Sequence, residues 1–163
     1  MKPSVRTAAG TRDLRLCARI RAKPAQVYRA LTSGRELCRW WLAGAQTDAR
    51  NTGYLRMIWP QRPGVRRIFG EREGCFADLE PEHKVSWLWR RAGRSDGAPP
   101  LCSFFILPKG RGCEVTLLHA GFSKRPSADG AYAAFLAGWQ DALAKLKLYL
   151  ETGNTCKAET LSL

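Results

Sequence analysis

Leu14, Leu16, Ala18 and Ile20 alternate with Arg15, Cys17, Arg19 and Arg21. That period of two predicts a strand with one apolar face and one wet face. Pro24 then stands where a first-turn helix proline is tolerated, and Val27, Tyr28 and Leu31 give a short apolar helical face before Thr32, Ser33 and Gly34 interrupt it. Ser33 followed three residues later by Glu36 fits a capping box, which predicts a second short helix through Leu37, Cys38, Trp40 and Trp41. From Gly44 the pattern turns to strands cut by turn residues. The runs are 53–59, a loop over 60–64, and 68–79 with Gly70 and Gly74 as bulges or bends. Pro81-Glu82-His83 turns the chain into 84–91, where Val85, Trp87 and Trp89 alternate with Ser86, Leu88 and Arg90. Ser95-Asp96-Gly97 and Gly110-Arg111-Gly112 are hairpin signals preceding strands at 102–107 and 113–119.

The period then changes. Tyr132, Phe135, Leu136, Trp139, Leu143, Leu146 and Leu150 recur at steps of three and four. At ~3.6 residues per turn they form one side of a long helix, which Gly153 is suited to cap before a tail expected to fray. The order is strand, two short helices, about six strands and a closing helix. A helix with so apolar a side needs an apolar partner, and a curved antiparallel sheet gripping it leaves room for a pocket. The length of 163 residues suits one domain over 1–163, with an ordered core from about 12 to 152 between a mobile N-terminal arm and a mobile tail.

Charge changes the picture only locally. The net charge is +13, and residues 1–67 hold 15 Lys/Arg against 3 Asp/Glu. Such a basic half attracts polyanions, but neither aromatic interleaving nor a nucleic-acid motif accompanies it. The expectation is therefore no specific nucleic-acid partner. Arg15, Arg19, Arg21, Arg62, Arg66 and Arg67 should give similar, weak affinity for DNA, RNA and heparin. In filter binding that affinity should collapse by physiological salt, where charges are screened within ~8 Å. Sequence-preferring binding that survives such salt would contradict this reading.

Cys17, Cys38, Cys75, Cys102, Cys113 and Cys156 are scattered singly, with no CxxC pair and no nearby His. The sequence thus predicts free thiols, no metal site and no cofactor. Nothing approaches the ~20 apolar residues of a membrane span, and residues 1–12 do not read as a signal peptide, so the expected location is the cytoplasm.

Several segments together resemble one known family. They are Lys23-Pro24-Ala25-Gln26-Val27-Tyr28-Arg29-Ala30-Leu31-Thr32, then Leu37-Cys38-Arg39-Trp40-Trp41, then 74–81 followed by Val85-Ser86-Trp87, then 112–122 from Gly112 to Phe122, and Gly138-Trp139 with Leu143, Leu146 and Leu150. These are similar to the conserved segments of proteins named after the activator of the heat-shock protein 90 ATPase, and span 14–153. The resemblance implies the α+β helix-grip fold of START domains, the birch-pollen allergen and polyketide cyclases, with a seven-stranded antiparallel sheet around the C-terminal helix and a cavity between them. The chain departs from the family pattern at Gly112-Cys113, where Gly-Thr is usual, and in its Arg-rich first half.

Within that frame Trp59, Trp87, Trp89, Phe104, Phe105, His119, Phe135, Trp139 and Leu143 are the candidate ligand-binding residues. Pockets are mostly apolar with a few polar anchors. Trp40 and Trp139 match structural positions of the family. Only one of Phe104 and Phe105 can point inward, since strand neighbours face opposite ways. His119 is a candidate anchor or acid/base, though a hydrogen-bonded strand-end histidine is the plainer role. Glu71, Glu73, Asp78 and Glu80 read as partners in exposed ion pairs with Arg66, Arg67 or Arg72, with no catalytic role. No GxSxG, P-loop, HExxH or GxGxxG occurs, which counts against an enzyme, and no catalytic residue is assigned. The leading function is binding of a small hydrophobic or aromatic ligand. The alternatives are a chaperone-regulating module, and a cyclase or aromatase whose scattered residues leave no motif. The chain is expected as a monomer or homodimer.

Overall fold

The alternation that begins at Leu14 does form a strand, and the computed structural model, which describes residues 10–61, 70–90 and 97–163, places it at one edge of the sheet. The elements run β1 (Thr11–Ile20), α1 (Pro24–Thr32), α2 (Gly34–Trp40), β2 (Gly44–Thr47), β3 (Tyr54–Ile58), β4 (Glu71–Glu80), β5 (Lys84–Trp89), β6 (Leu101–Lys109), β7 (Gly112–Ser123), a single 3-10 turn (Pro126–Ala128) and α3 (Asp129–Thr152). All neighbouring strands pair antiparallel, in the order β1-β7-β6-β5-β4-β3-β2. The curved sheet, the two short helices and the long closing helix are the helix-grip architecture. The second half of the 60–64 loop, Ile68, Ser95 and Asp96 lie outside the described residues.

Ser33 joins the two short helices. Its N–H ends α1 on the Arg29 carbonyl, and its Oγ accepts from the Glu36 N–H at 3.4 Å to start α2. Only half of the predicted capping box is present. Because Arg29 already holds the Ser33 N–H, the Glu36 carboxylate turns instead to Arg39, 3.1 Å away, and to the Tyr149 hydroxyl on α3. The reciprocal reach appears one helix earlier, where Gln26 Oε1 accepts from the Lys23 N–H at 2.9 Å.

Gly74 is not a bulge. It pairs in register with Trp89, and the irregularity falls between Phe76 and Asp78, making Ala77 the extra residue. Glycine is required at 74 for a different reason: a Cβ there would run into the Leu88 carbonyl of β5. Gly74→Ala should force the two strands apart and cost at least ~1–3 kcal/mol, read from the denaturant midpoint. An unchanged midpoint would show that the strands yield freely. At the β6–β7 hairpin Gly110 takes φ 60°, and Lys109 pairs with Gly112 across the two-residue turn.

α3 buries Phe135, Trp139, Ala142, Leu143 and Leu146 against the sheet, with Tyr132, Leu136 and Leu150 half-buried beside them. Full burial of each large apolar side chain is worth ~1.5–3 kcal/mol, and this packing holds the helix far more firmly than propensity does. The same helix blunts the free edge of β1. Lys147 Nζ donates to the Arg19 carbonyl, Glu151 accepts from the Arg21 N–H at 2.9 Å, and the Tyr132 hydroxyl donates to the Asp13 carbonyl at 3.4 Å. Gly153, at φ 75°, closes α3 as expected.

Beyond Gly153 the tail makes further contacts with the body of the fold. It folds back, with the Leu161 N–H on Asp141 Oδ1 at 2.7 Å and Lys157 Nζ on the Cys38 carbonyl at 2.8 Å. Among the described residues no helix is long and apolar enough to cross a membrane.

Candidate functional site

Strand alternation sends Leu55, Met57 and Trp59 of the β3 segment, Phe76 of β4, Val85, Trp87 and Trp89 of β5, Phe104 of β6, and Leu117 and His119 of β7 toward α3. At the middle lies Trp87, fully buried between Phe76 and Cys102. Its ring centroid is 4.8 Å from Phe104, 5.9 Å from Trp89, 6.0 Å from Trp41 and 6.4 Å from Trp139. Offset and edge-on pairs of this kind add ~0.5–1.5 kcal/mol each beyond area burial. Trp41, which follows α2, joins the cluster together: it stacks on Trp40 at 5.2 Å and meets Trp59 edge-on at 5.2 Å.

Indole N–H groups buried in such a cluster need acceptors. Trp40 Nε1 donates to the Ala30 carbonyl at 3.1 Å, and Trp139 Nε1 donates to His119 Nδ1 at 3.0 Å. Trp87 Nε1 is buried without a hydrogen-bond partner. An unmet donor of this kind costs ~1–3 kcal/mol in a folded protein.

His119 is 1% exposed. Its Nδ1 accepts from Trp139, so the proton sits on Nε2, which donates to the Pro99 carbonyl at 2.7 Å. The imidazole thus has the neutral Nε2–H form, with Phe122, Phe135 and Trp139 edge-on around it at 4.7, 5.4 and 6.0 Å. With both nitrogens engaged inside the chain, His119 holds Trp139 in place rather than moving protons.

Trp59, Trp87, Trp89, Phe104, His119, Phe135, Trp139 and Leu143 are therefore gathered in the buried region between sheet and helix. Phe105 is not. It is 40% exposed on the outer face of β6, where Lys84 Nζ lies 5.6 Å from its ring centroid. The pleat admits one of the adjacent pair, and that one is Phe104.

Trp41 joins the buried residues from its place beside Trp40 in the amphipathic segment of the second short helix. Arg72 also turns out differently. It lies between Glu71 and Glu73 on β4, so alternation puts it on the helix side, its guanidinium carbon 5.5 Å from the Phe135 ring centroid. The outer-face acids find other partners: Glu71 pairs with Arg56, Glu73 with Arg90 at 3.9 Å, and Asp78 with Lys84 at 2.7 Å. These exposed pairs are worth ~0–1 kcal/mol each. Arg66 and Arg67 lie outside the described residues.

All six cysteines are free, and burial pushes the Cys102 thiol well above its ordinary pKa and the Cys113 thiol up as well. No group of three or more His, Cys, Asp or Glu side chains among the described residues is placed to hold a metal ion.

The family model described as Activator of Hsp90 ATPase homolog 1-like protein matches residues 21–151. The chain belongs to that family. Solved structures share its fold. The Aha1 dimer of Colwellia psychrerythraea is 22% identical, with 88% of this chain and 98% of that one covered at a TM-score of 0.69. Protein MLL2253 of Mesorhizobium loti is 20% identical over 88% and 99% of the two chains, also at 0.69. CalU16 of Micromonospora echinospora is 20% identical over 90% and 85%, at 0.63. At these identities the likeness is one of fold alone. No curated protein sequence matches the chain.

Proposed function

We propose that this activator-family domain binds a small hydrophobic or aromatic molecule between the sheet and α3. The family's fold is compatible with ligand binding. The observation that carries the reading further is the unmet Trp87 N–H at the centre of the aromatic cluster. A ligand with an apolar or aromatic body and one acceptor atom would satisfy that donor while stacking on the neighbouring rings. Trp59 and Trp89, 9% and 8% exposed, form the side of the cluster closest to solvent and the natural way in.

Native mass spectrometry of freshly purified protein should show a co-purifying small molecule, and titration with a hydrophobic fluorescent probe should saturate and quench tryptophan emission. Trp87→Phe keeps an aromatic ring and removes the N–H, so it should weaken an acceptor-bearing ligand by roughly tenfold, the worth of about one hydrogen bond. Affinity indifferent to Trp87→Phe would remove the anchor from this reading. Absence of saturable binding across a lipid and aromatic panel would remove the pocket.

A second reading, a protein-interaction module acting on a chaperone, is favoured by the closeness of the rings around Trp87, which are packed against one another as a filled core would be. Panel binding separates the two, because a filled core takes up no probe.

A further inference from the structure

The two-residue turn that joins β6 to β7 ends the sheet in a protruding corner, with the sequence Leu107-Pro108-Lys109-Gly110-Arg111. Leu107 points outward and is 60% exposed, the highest figure among the large apolar side chains of the described residues. Phe105, two residues earlier on the same face of β6, is 40% exposed.

Cations crowd this corner. Register sets Arg19 of β1 opposite Glu114 of β7, and Glu114 opposite Leu107, so Arg19 and Leu107 stand two strands apart, ~10 Å between backbones. The Arg19 guanidinium extends over the turn, with Nη2 3.2 Å from the point where a Cβ on Gly110 would stand. Beside it come Arg21, its side chain 83% exposed, Lys109, 49% exposed, and the exposed Lys23 and Arg111. Two carboxylates lie among these five cations. Glu114 is 3.0 Å from Lys109 Nζ, whose hydrogen bond and charge hold its carboxyl below the usual range. Glu151 is held by Lys147 at 3.0 Å and by the Arg21 N–H. The corner stays positive, and it lies in the most one-sided part of the chain: residues 14–47 hold seven Lys/Arg and one acid, Glu36, which engages Arg39 and Tyr149. On the other side of β6 the β4–β5 turn carries Glu80 and Glu82, so the positive footprint runs from Leu107 toward β1 rather than across the sheet.

An exposed leucine ringed by cations on a protrusion suits an anionic lipid surface, where the apolar side chain enters the headgroup boundary while the cations meet the phosphates. A nucleic acid would answer the charges and leave Leu107 and Phe105 in water. We propose that the β6–β7 corner is a peripheral docking site for anionic membranes, with Leu107 as its apolar contact and Arg19, Arg21, Lys23, Lys109 and Arg111 as its cationic ring. The antiparallel order puts Trp59 and Trp89 at the opposite end of the sheet, so docking is independent of any ligand held between sheet and α3.

Co-sedimentation with vesicles at physiological salt tests this. The full chain should bind vesicles of equimolar phosphatidylcholine and phosphatidylglycerol and should not bind pure phosphatidylcholine. Arg111→Glu should weaken that binding at least ~10-fold, since it reverses a charge at the lipid surface. Arg125→Glu makes the same change in net charge, from +13 to +11, beyond the other end of β7, ~35 Å away, and should leave binding within ~2-fold. Leu107→Ser leaves the charge unchanged and removes the apolar contact, and should weaken binding at least ~5-fold. All three positions are exposed, so the thermal unfolding midpoint should not move. No binding to the mixed vesicles, equal binding to pure phosphatidylcholine, indifference to Leu107→Ser, or equal losses from Arg125→Glu and Arg111→Glu would overturn the proposal. Binding of DNA at the same salt that exceeds vesicle binding and ignores Leu107→Ser would overturn it as well, assigning the corner to nucleic acid.

Discussion

Trp139→Ala is expected to cost about 3–5 kcal/mol of folding stability, the range for truncating a large aromatic in a packed core. Trp139 is 1% exposed and sits on the buried side of α3, with Trp41, Trp87 and Phe104 at centroid distances of 6.0, 6.4 and 6.0 Å. Those neighbours come from the segment after α2 and from the central strands, and none can close the void without moving its own backbone. A second loss is added to the void. His119 Nδ1 would lose its donor inside a site that excludes water, so the imidazole would be left with one unmet acceptor. Trp139→Phe narrows the contributions: it keeps a six-membered ring in the site while losing the N–H and part of the indole, and should cost about 1–3 kcal/mol. Denaturant unfolding of both variants decides the matter. A loss below about 1 kcal/mol for the alanine variant would mean that the sheet does not grip the helix as the packing requires.

The strands and the long helix were legible because their periods are imposed by one buried face. The two-residue repeat at Leu14, Leu16, Ala18 and Ile20 and the three-and-four repeat from Tyr132 to Leu150 each record contact with the same core. The pleat also foretold that Phe104 and Phe105 would separate. Applied to Glu71, Arg72 and Glu73, it would have sent Arg72 inward too. The extra residue at Ala77 left no trace, because an alanine carries no sign of an unpaired position and Gly74, the more suggestive residue, answers to a close backbone approach instead. β2 is four residues long, too short to show a period. The sequence placed Trp87 and His119 among the candidates and made a hydrogen-bonded role the plainer one for His119, but it could not name the partners. Whether an indole N–H or an imidazole nitrogen meets a partner depends on Pro99 and Trp139, which lie 20 residues to either side of His119 and are brought to it only by the fold.

Lys145 is the clearest case of a residue the local pattern could not place. It is 2% exposed, on a helix whose neighbouring positions are apolar, and the folded-back tail lies beside it. Burying an ammonium group is tolerable only with a close counter-charge. Asp141, one turn earlier on α3, supplies it with Oδ2 at 2.7 Å from Lys145 Nζ, while its Oδ1 accepts the Leu161 N–H. One carboxylate therefore touches both the buried lysine and the tail. Asp141→Ala should cost about 1–3 kcal/mol, because it removes a carboxylate acceptor from a buried ammonium group that keeps the Lys157 carbonyl beside it. It should also expose the segment after Gly153 to proteolysis, since the Leu161 bond is lost together with the charge. Asp141→Asn keeps an acceptor for Leu161 without the charge, so it should hold the tail better than it holds stability. Replacing both partners, Asp141→Leu with Lys145→Met, removes the charge and its counter-charge together and should recover most of the stability while leaving the tail loose. Limited proteolysis read alongside denaturant unfolding distinguishes the two roles. If Asp141→Ala unfolded with the wild-type midpoint and a protected C-terminus, Lys145 would have to reach water by another route, and the tail would be held by Lys157 and its neighbours alone.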